Sequence, residues 1–189
     1  EQVGGTGGSF FMACLAIEAL SSVDPAVGVF VDVQNTLVNN IIHRWANKDQ
    51  QQEYFPKLCQ QTVGAFCLTE PNSGSDAFAL RTEAKRSSNG WILNGRKCFI
   101  TNAQEAGLYI VFANTDFSKG YKGITAFLVE RDNPGLTIGK KETKLGIRAS
   151  STCDLIFENL EINEDAVLGE VGKGYKIAIA TNQACIEKE

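Results

Sequence analysis

Two hydrophobic periods follow one another along this chain. Up to about Thr62, apolar residues recur at spacings near three and four, as on helices with a buried face. Ser9 is placed to cap a helix through about Leu20, with Phe11, Leu15 and Leu20 among its apolar positions. Asp24-Pro25 marks a second start, because Asp caps and Pro is favoured at the first helical position. From there Val27, Phe30, Val31, Leu37, Val38, Ile41, Ile42 and Trp45 predict one helix to about Trp45. Its first half is nearly apolar, so it is expected to be buried between neighbours. Asn47 and Gln50 make an Asn-led capping box for a third helix, which carries Tyr54 and Phe55 and is expected to stop near Pro56.

Beyond Thr62 the pattern changes to short β-rich runs. Residues 63–69, 80–86, 91–93, 96–101, 108–113, 125–130 and 153–158 read as strands. Asn94-Gly95 is a strong hairpin signal, and Asn89-Gly90 and Asn133-Pro134-Gly135 mark further turns. Strands this close together, with no helix between them, predict an antiparallel barrel or sandwich and exclude a Rossmann unit. Leu160 to Gly174 reads as a polar exit segment, and Tyr175 to Ala180 begins another helix. The expected class is α+β, with helices over residues 1–62, a β-domain over 63–160, and a linker with the start of a helical region over 161–189.

Composition narrows the chemistry. A hydrophobic fraction of 43% over 189 residues is ample for a core. A net charge of -4, with Lys and Arg scattered, argues against a nucleic-acid footprint. No apolar run approaches the ~20 residues of a membrane span. The six cysteines contain no Cys-x-x-Cys pair, which favours free thiols in a reducing compartment over a disulfide framework. His43 is the only histidine, so a zinc site or a Ser-His-Asp triad has almost no raw material. The glycines between Gly4 and Gly8 are not followed by Lys-Ser/Thr at phosphate-loop spacing and read as a flexible connection.

The most informative stretch is Phe66-Cys67-Leu68-Thr69-Glu70-Pro71-Asn72-Ser73-Gly74-Ser75-Asp76. An apolar run ends in a loop of turn-formers whose backbone N–H groups and small hydroxyls suit an anionic or polar ligand. Read by itself, it is more simply an ordinary strand-to-loop junction. A second stretch, Lys97-Cys98-Phe99-Ile100-Thr101-Asn102, follows it. The pair resembles the flavin-binding signature of the acyl-CoA dehydrogenase family. Gly120-Tyr121-Lys122-Gly123-Ile124-Thr125, Arg148-Ala149-Ser150-Ser151-Thr152-Cys153 and Gly172-Lys173-Gly174-Tyr175 extend the resemblance over nearly the whole chain, nearest to short/branched-chain members.

The resemblance implies FAD as cofactor and an acyl-CoA as substrate. It implies flavin contacts from Phe66, Cys67, Leu68, Thr69, Gly74, Ser75, Phe99, Ile100 and Thr101. Thr69 and Thr101 would meet the ring edge, and Gly74 and Ser75 the pyrophosphate. Phe99 stands where most relatives have Trp, which loses an indole N–H but keeps an aromatic face. Ser75, Tyr121 and Tyr175 match positions along the CoA arm; without the resemblance both tyrosines read rather as packing residues. Glu70 is anionic and suits a structural role better than a phosphate contact.

The implied reaction is α,β-dehydrogenation to a trans-2-enoyl-CoA, with electrons passed to electron-transferring flavoprotein. The resemblance further implies a homotetramer and a mitochondrial matrix location. It assigns the catalytic glutamate to a C-terminal helical domain that these 189 residues lack, so no catalytic residue is assigned, and Glu161, Glu164 and Glu170 match nothing catalytic. Thr181-Asn182-Gln183-Ala184-Cys185-Ile186 also departs from the family's acyl-CoA-binding Asn-Glu-Gly-Arg segment. The expectation is a partial chain that is inactive alone, or in a second reading a β-module that binds without redox work. An acyl-CoA oxidase is a third reading within the same superfamily. A dye-reduction assay with 2-methylbutyryl-CoA should show no turnover; measurable turnover would refute inactivity.

Overall fold

The computed structural model describes residues 4–182. Helix α1, Phe10–Val23, begins where Ser9 Oγ accepts from Met12 N–H. None of its residues is buried, and Phe10, Phe11, Met12 and Leu15 are exposed. Asp24 then caps α2, Pro25–Asp32, through Ala26 N–H at 2.8 Å.

The single helix expected to Trp45 is instead α2, a π-helical segment at Val33–Asn39, and α3 at Asn40–Trp45. Within the widened segment Gln34 and Val38 both reach strand β1, Val63–Cys67. Gln34 Oε1 accepts from Gly64 N–H at 2.8 Å, while its Nε2 donates to the carbonyls of Leu58 and Thr62, each at 3.3 Å. Burial of the long helical run is uneven: Val33, Val38, Ile41 and Ile42 are buried, while Val27 is exposed.

Helix α4, Lys48–Gln60, has the expected capping box, with Asn47 and Gln50 bonding reciprocally. It does not stop at Pro56. Buried Phe55 and Leu58 hold the helix through the proline, a case of tertiary packing overriding local preference.

The sheet has eight strands. After β1 come β2 (Glu83–Arg86), β3 (Gly90–Thr101), β4 (Ala106–Asn114) and β5 (Ile124–Glu130). Then follow β6 (Leu136–Ile138), β7 (Thr152–Asn163) and β8 (Val167–Leu168). Their order is β6-β7-β3-β2-β4-β5-β8, with β1 paired to β4. The pairing is mostly antiparallel as expected, but β1 runs parallel to β4, and one parallel bridge joins β2 to β4. The expected exit segment from Leu160 continues β7 to Asn163 and adds β8 on the edge of β5. Helix α5, Gly174–Asn182, starts where the sequence indicates.

Asn94-Gly95 is not a hairpin. It lies inside β3 as a bulge opposite β7, where Asn94 Oδ1 accepts from Asn159 N–H at 2.8 Å. Gly95 has a φ of +151°, and a Cβ there would stand 2.6 Å from Thr82 Oγ1, so close approach rather than reversal explains it. The reversal lies at Asn89-Gly90, between Arg86 and its partner Trp91.

Strands β4 and β5 are buried on both faces, which is why they read as continuous apolar runs. Leu108, Ile110, Phe112, Ile124, Ala126 and Leu128 face a core shared with the helices. Tyr109, Val111, Phe127 and Val129 face a second core with Trp91, Leu155 and Phe157.

Where β1 crosses the π-helical segment there is no spare room. A Cβ on Gly64 would lie 2.4 Å from Val38 Cγ1. Gly64→Ala is therefore expected to cost about 1–3 kcal/mol through overpacking, measured by urea denaturation. Adding Val38→Ala should recover part of that loss.

Candidate functional site

The site grows from the way β1 and β2 share one edge of β4. Cys67 pairs with Val111, and Glu83 pairs with Asn114. The chain from Leu68 to Thr82 thus leaves β4 and returns to it only three residues further along. Inside that loop, Glu70 and Ser73 exchange backbone hydrogen bonds at 3.0 and 3.1 Å, closing a turn over Pro71 and Asn72. Ser73 Oγ donates to Asp76 O at 2.8 Å. Gly74 and Ser75 stand exposed beyond this turn, and a Cβ on Gly74 would meet nothing within 4 Å.

The second stretch comes alongside. Cys98 N–H donates to Thr69 O at 2.9 Å. Between Lys97 and Ile100 the pairing of β3 with β7 shifts register, and within that bulge Phe99 takes a left-handed φ of +57°. Its ring is left 65% exposed, while Ile100 turns into the core. Thr101 is half-buried opposite Thr152, and Thr69 is half-buried as well. Asn102 donates through Nδ2 to Phe30 O at 3.3 Å, but its buried Oδ1 has no hydrogen-bond partner. These positions combine an open aromatic face, threonine hydroxyls and an orphaned amide oxygen.

Not every implied contact lies open. Phe66 packs edge-on against Phe112, with centroids 5.1 Å apart. Cys67 is fully buried, and burial pushes its thiol well above the ordinary range, so it stays neutral. Leu68 is buried too. The side chains of Cys67 and Leu68 are thus closed to a ligand, while Phe66 is half-buried. Tyr121 and Tyr175 are brought together in a T-shaped contact at 5.0 Å. Phe78 joins Tyr121 at 6.0 Å, which links this aromatic cluster to the loop carrying Ser75. Residues 183–189, including Cys185 and most of the departing segment, lie outside the described residues.

Beneath the loop lies a pair of which sequence reasoning expected only Glu70, in a structural role, and missed Lys97. Lys97, with no exposed side-chain surface, donates to Glu70 Oε1 at 2.7 Å and to Leu68 O at 3.1 Å. Glu70 also accepts from Arg81 N–H at 2.5 Å and Thr82 N–H at 3.0 Å. Those backbone bonds explain why β2 starts at Glu83 and not at Leu80 as expected. One signal was available: counting inward positions from Trp91 and Leu93 along β3 reaches Lys97.

Burial lowers the Lys97 pKa, with the charge of Glu70 opposing it. Burial would raise that of Glu70, but the Lys97 charge and the hydrogen bonds at Thr82 and Arg81 outweigh it, and the carboxyl titrates below its ordinary range. Cys14, Cys59, Cys67, Cys98 and Cys153 are free thiols. Among the described residues no group of three His, Cys, Asp or Glu side chains could hold a metal ion. None of the described helices is long and apolar enough to cross a membrane.

Family models now decide the kinship. The acyl-CoA dehydrogenase middle domain matches residues 65–160, and the N-terminal domain of the same family matches residues 1–62. The chain belongs to the acyl-CoA dehydrogenase family. It is 58% identical over 180 residues to a probable short/branched chain specific acyl-CoA dehydrogenase of Dictyostelium discoideum, covering 95% of this chain and 44% of that protein. It is 49% identical to the mitochondrial short/branched chain specific enzyme of Rattus norvegicus, covering 94% of this chain and 41% of that one. Butyryl-CoA dehydrogenase from Megasphaera elsdenii superposes with a TM-score of 0.92 at 42% identity, over 95% of this chain and 48% of that one. An acyl-CoA dehydrogenase complexed with FAD from Bacillus anthracis superposes at 0.88 with 33% identity, over 95% and 31%. The chain thus spans less than half the length of the curated relatives it matches.

The lowered carboxyl pKa makes acid stability a probe of the buried pair. Glu70 stabilises the fold fully above the unfolded carboxylate pKa of about 4.3. That contribution is lost as pH falls through the lower folded value. The urea midpoint of the unaltered chain should therefore exceed that of Glu70→Gln at neutral pH, and the gap should close on acidification below about pH 4.

Proposed function

We propose that this chain forms the flavin-binding and part of the acyl-CoA-binding half of a short/branched-chain acyl-CoA dehydrogenase. One observation carries the cofactor assignment. Phe99 is thrust outward from a bulge that a Cys98 N–H bond ties to half-buried Thr69 and that leads into half-buried Thr101, in a chain of this family. Residue chemistry fits the group: an aromatic face covers a flat ring, and hydroxyls with the orphaned Asn102 oxygen suit its polar edge. Backbone atoms of Cys67 and Leu68 would border the same edge, with Leu68 O held by Lys97 Nζ. Gly74 leaves room for a pyrophosphate to approach the backbone, and the exposed Ser75 hydroxyl is free to donate to it.

When bound, FAD supplies the acceptor for the hydride that leaves the substrate's β-carbon. The part of this chain is placement and exclusion of water. Tyr121, Tyr175 and Phe78 offer aromatic faces to the CoA arm. The α-proton needs a base with a raised pKa in a dry site. Glu70 does not qualify, since its carboxylate is committed to Lys97 and two backbone N–H groups and is shifted downward. Electron transfer to electron-transferring flavoprotein and a matrix location belong to the proposal for the whole protein. The names of the short/branched-chain relatives support the substrate class, and the rat enzyme's name supports the location.

The test is direct. The purified chain mixed with FAD should quench flavin fluorescence and retain flavin absorption bands through gel filtration; a colourless eluate would sink the assignment. Thr101→Val should weaken FAD binding about threefold to tenfold, the worth of one hydrogen bond. Tyr121→Ala should weaken acyl-CoA binding in calorimetry and leave FAD binding unchanged.

A further inference from the structure

The loop's three consecutive residues Leu68, Thr69 and Glu70 are each held by β3. Lys97 Nζ takes Leu68 O at 3.1 Å, Cys98 N–H takes Thr69 O at 2.9 Å, and Lys97 Nζ takes Glu70 Oε1 at 2.7 Å. Glu70 passes the constraint on to the far end of the loop through Arg81 and Thr82 N–H. Phe99 begins its outward excursion two residues after Lys97. Side chains at 0% and 4% exposure have lost nearly all hydration. A buried ion pair of this kind is commonly no more stabilising than apolar residues of similar volume. Apolar replacements would fill the same space, but they would forfeit two of these three bonds and leave the Cys98 N–H bond to Thr69 O without its two neighbours.

We propose that Lys97 and Glu70 are positioning residues for the flavin, locking the Thr69 loop and the Phe99 bulge into one ledge. This rests on the flavin assignment above. The pair takes no proton from substrate and touches no reacting atom. It fixes the distance between two binding segments, one in the loop after β1 and one in β3. Ion pairs on the surface, such as Arg86 with Glu164, make no such connection.

Three variants, compared by urea midpoint, FAD fluorescence quenching and the absorption of bound flavin, test the proposal. Lys97→Met leaves Glu70 buried and unpaired, so both stability and binding should fall. The double variant Lys97→Met/Glu70→Gln should regain most of the lost urea midpoint. It should still bind FAD about tenfold or more weakly, the loss expected of a charged hydrogen-bond anchor, with blunted fine structure in the flavin band. Recovery of FAD affinity to within about twofold along with stability would overturn the proposal. Val129→Ala, in the core of β5, serves as a control that loses stability alone. An equal loss of affinity in that control would also overturn the proposal. Should the double variant not fold, Glu70→Gln alone decides: it keeps an acceptor for Thr82 N–H but loses the charge, and undiminished FAD affinity would refute positioning. A chain that never quenches flavin would instead sink the cofactor assignment, an outcome visible before any variant is made.

Discussion

Double-sided burial of β4 and β5 is the constraint on which the rest of the molecule hangs. Each Leu, Ile, Val or Phe side chain there adds about 1.5–3 kcal/mol when fully buried. Alternate residues from Leu108 to Ala113 serve two separate cores. A strand so enclosed can be neither shifted nor exposed, so its edges are fixed in space. One edge carries β5 and, beyond it, β8; the other carries β1 and then β2 in succession. The loop proposed to bind the flavin is the excursion between those last two strands, and its two ends are fixed on doubly buried β4.

Much of this was legible in the chain. Ser9, Asp24 and Asn47 marked helix starts because a capping side chain acts within a few residues of itself. The apolar run over residues 108–113 marked a strand for the same local reason. Failures arose where a distant segment decided the outcome. Asn94-Gly95 has the chemistry of a hairpin, yet Thr82 and Asn159 draw it into a bulge. Pro56 should end a helix, yet the core holds the next turn in place. Gln34 and Val38 fit one smooth helical period, and nothing local reports that both must reach β1.

At the site, the visible part was the motif and the hidden part its support. Thr69, Gly74, Ser75 and Phe99 stand out because glycines, small hydroxyls and an aromatic cluster in short stretches. Glu70 was legible as a structural residue of the loop, but Lys97 was not, since a lysine looks like a surface residue until strand alternation is followed inward. Phe78 was missed for a related reason. Its role depends on Tyr121, which arrives from a different loop.

The hold on Leu68, Thr69, Arg81 and Thr82 is made on their main-chain atoms and not on their side chains. At half-buried Thr69 and exposed Arg81, identity is therefore uncoupled from the loop's shape. A hydroxyl at residue 69 can be lost, moved or exchanged without loosening the frame that presents it. Such a loop separates the problem of holding its shape from that of choosing its ligand chemistry. New preferences can be explored along its exposed edge while the anchoring lysine and glutamate stay as they are.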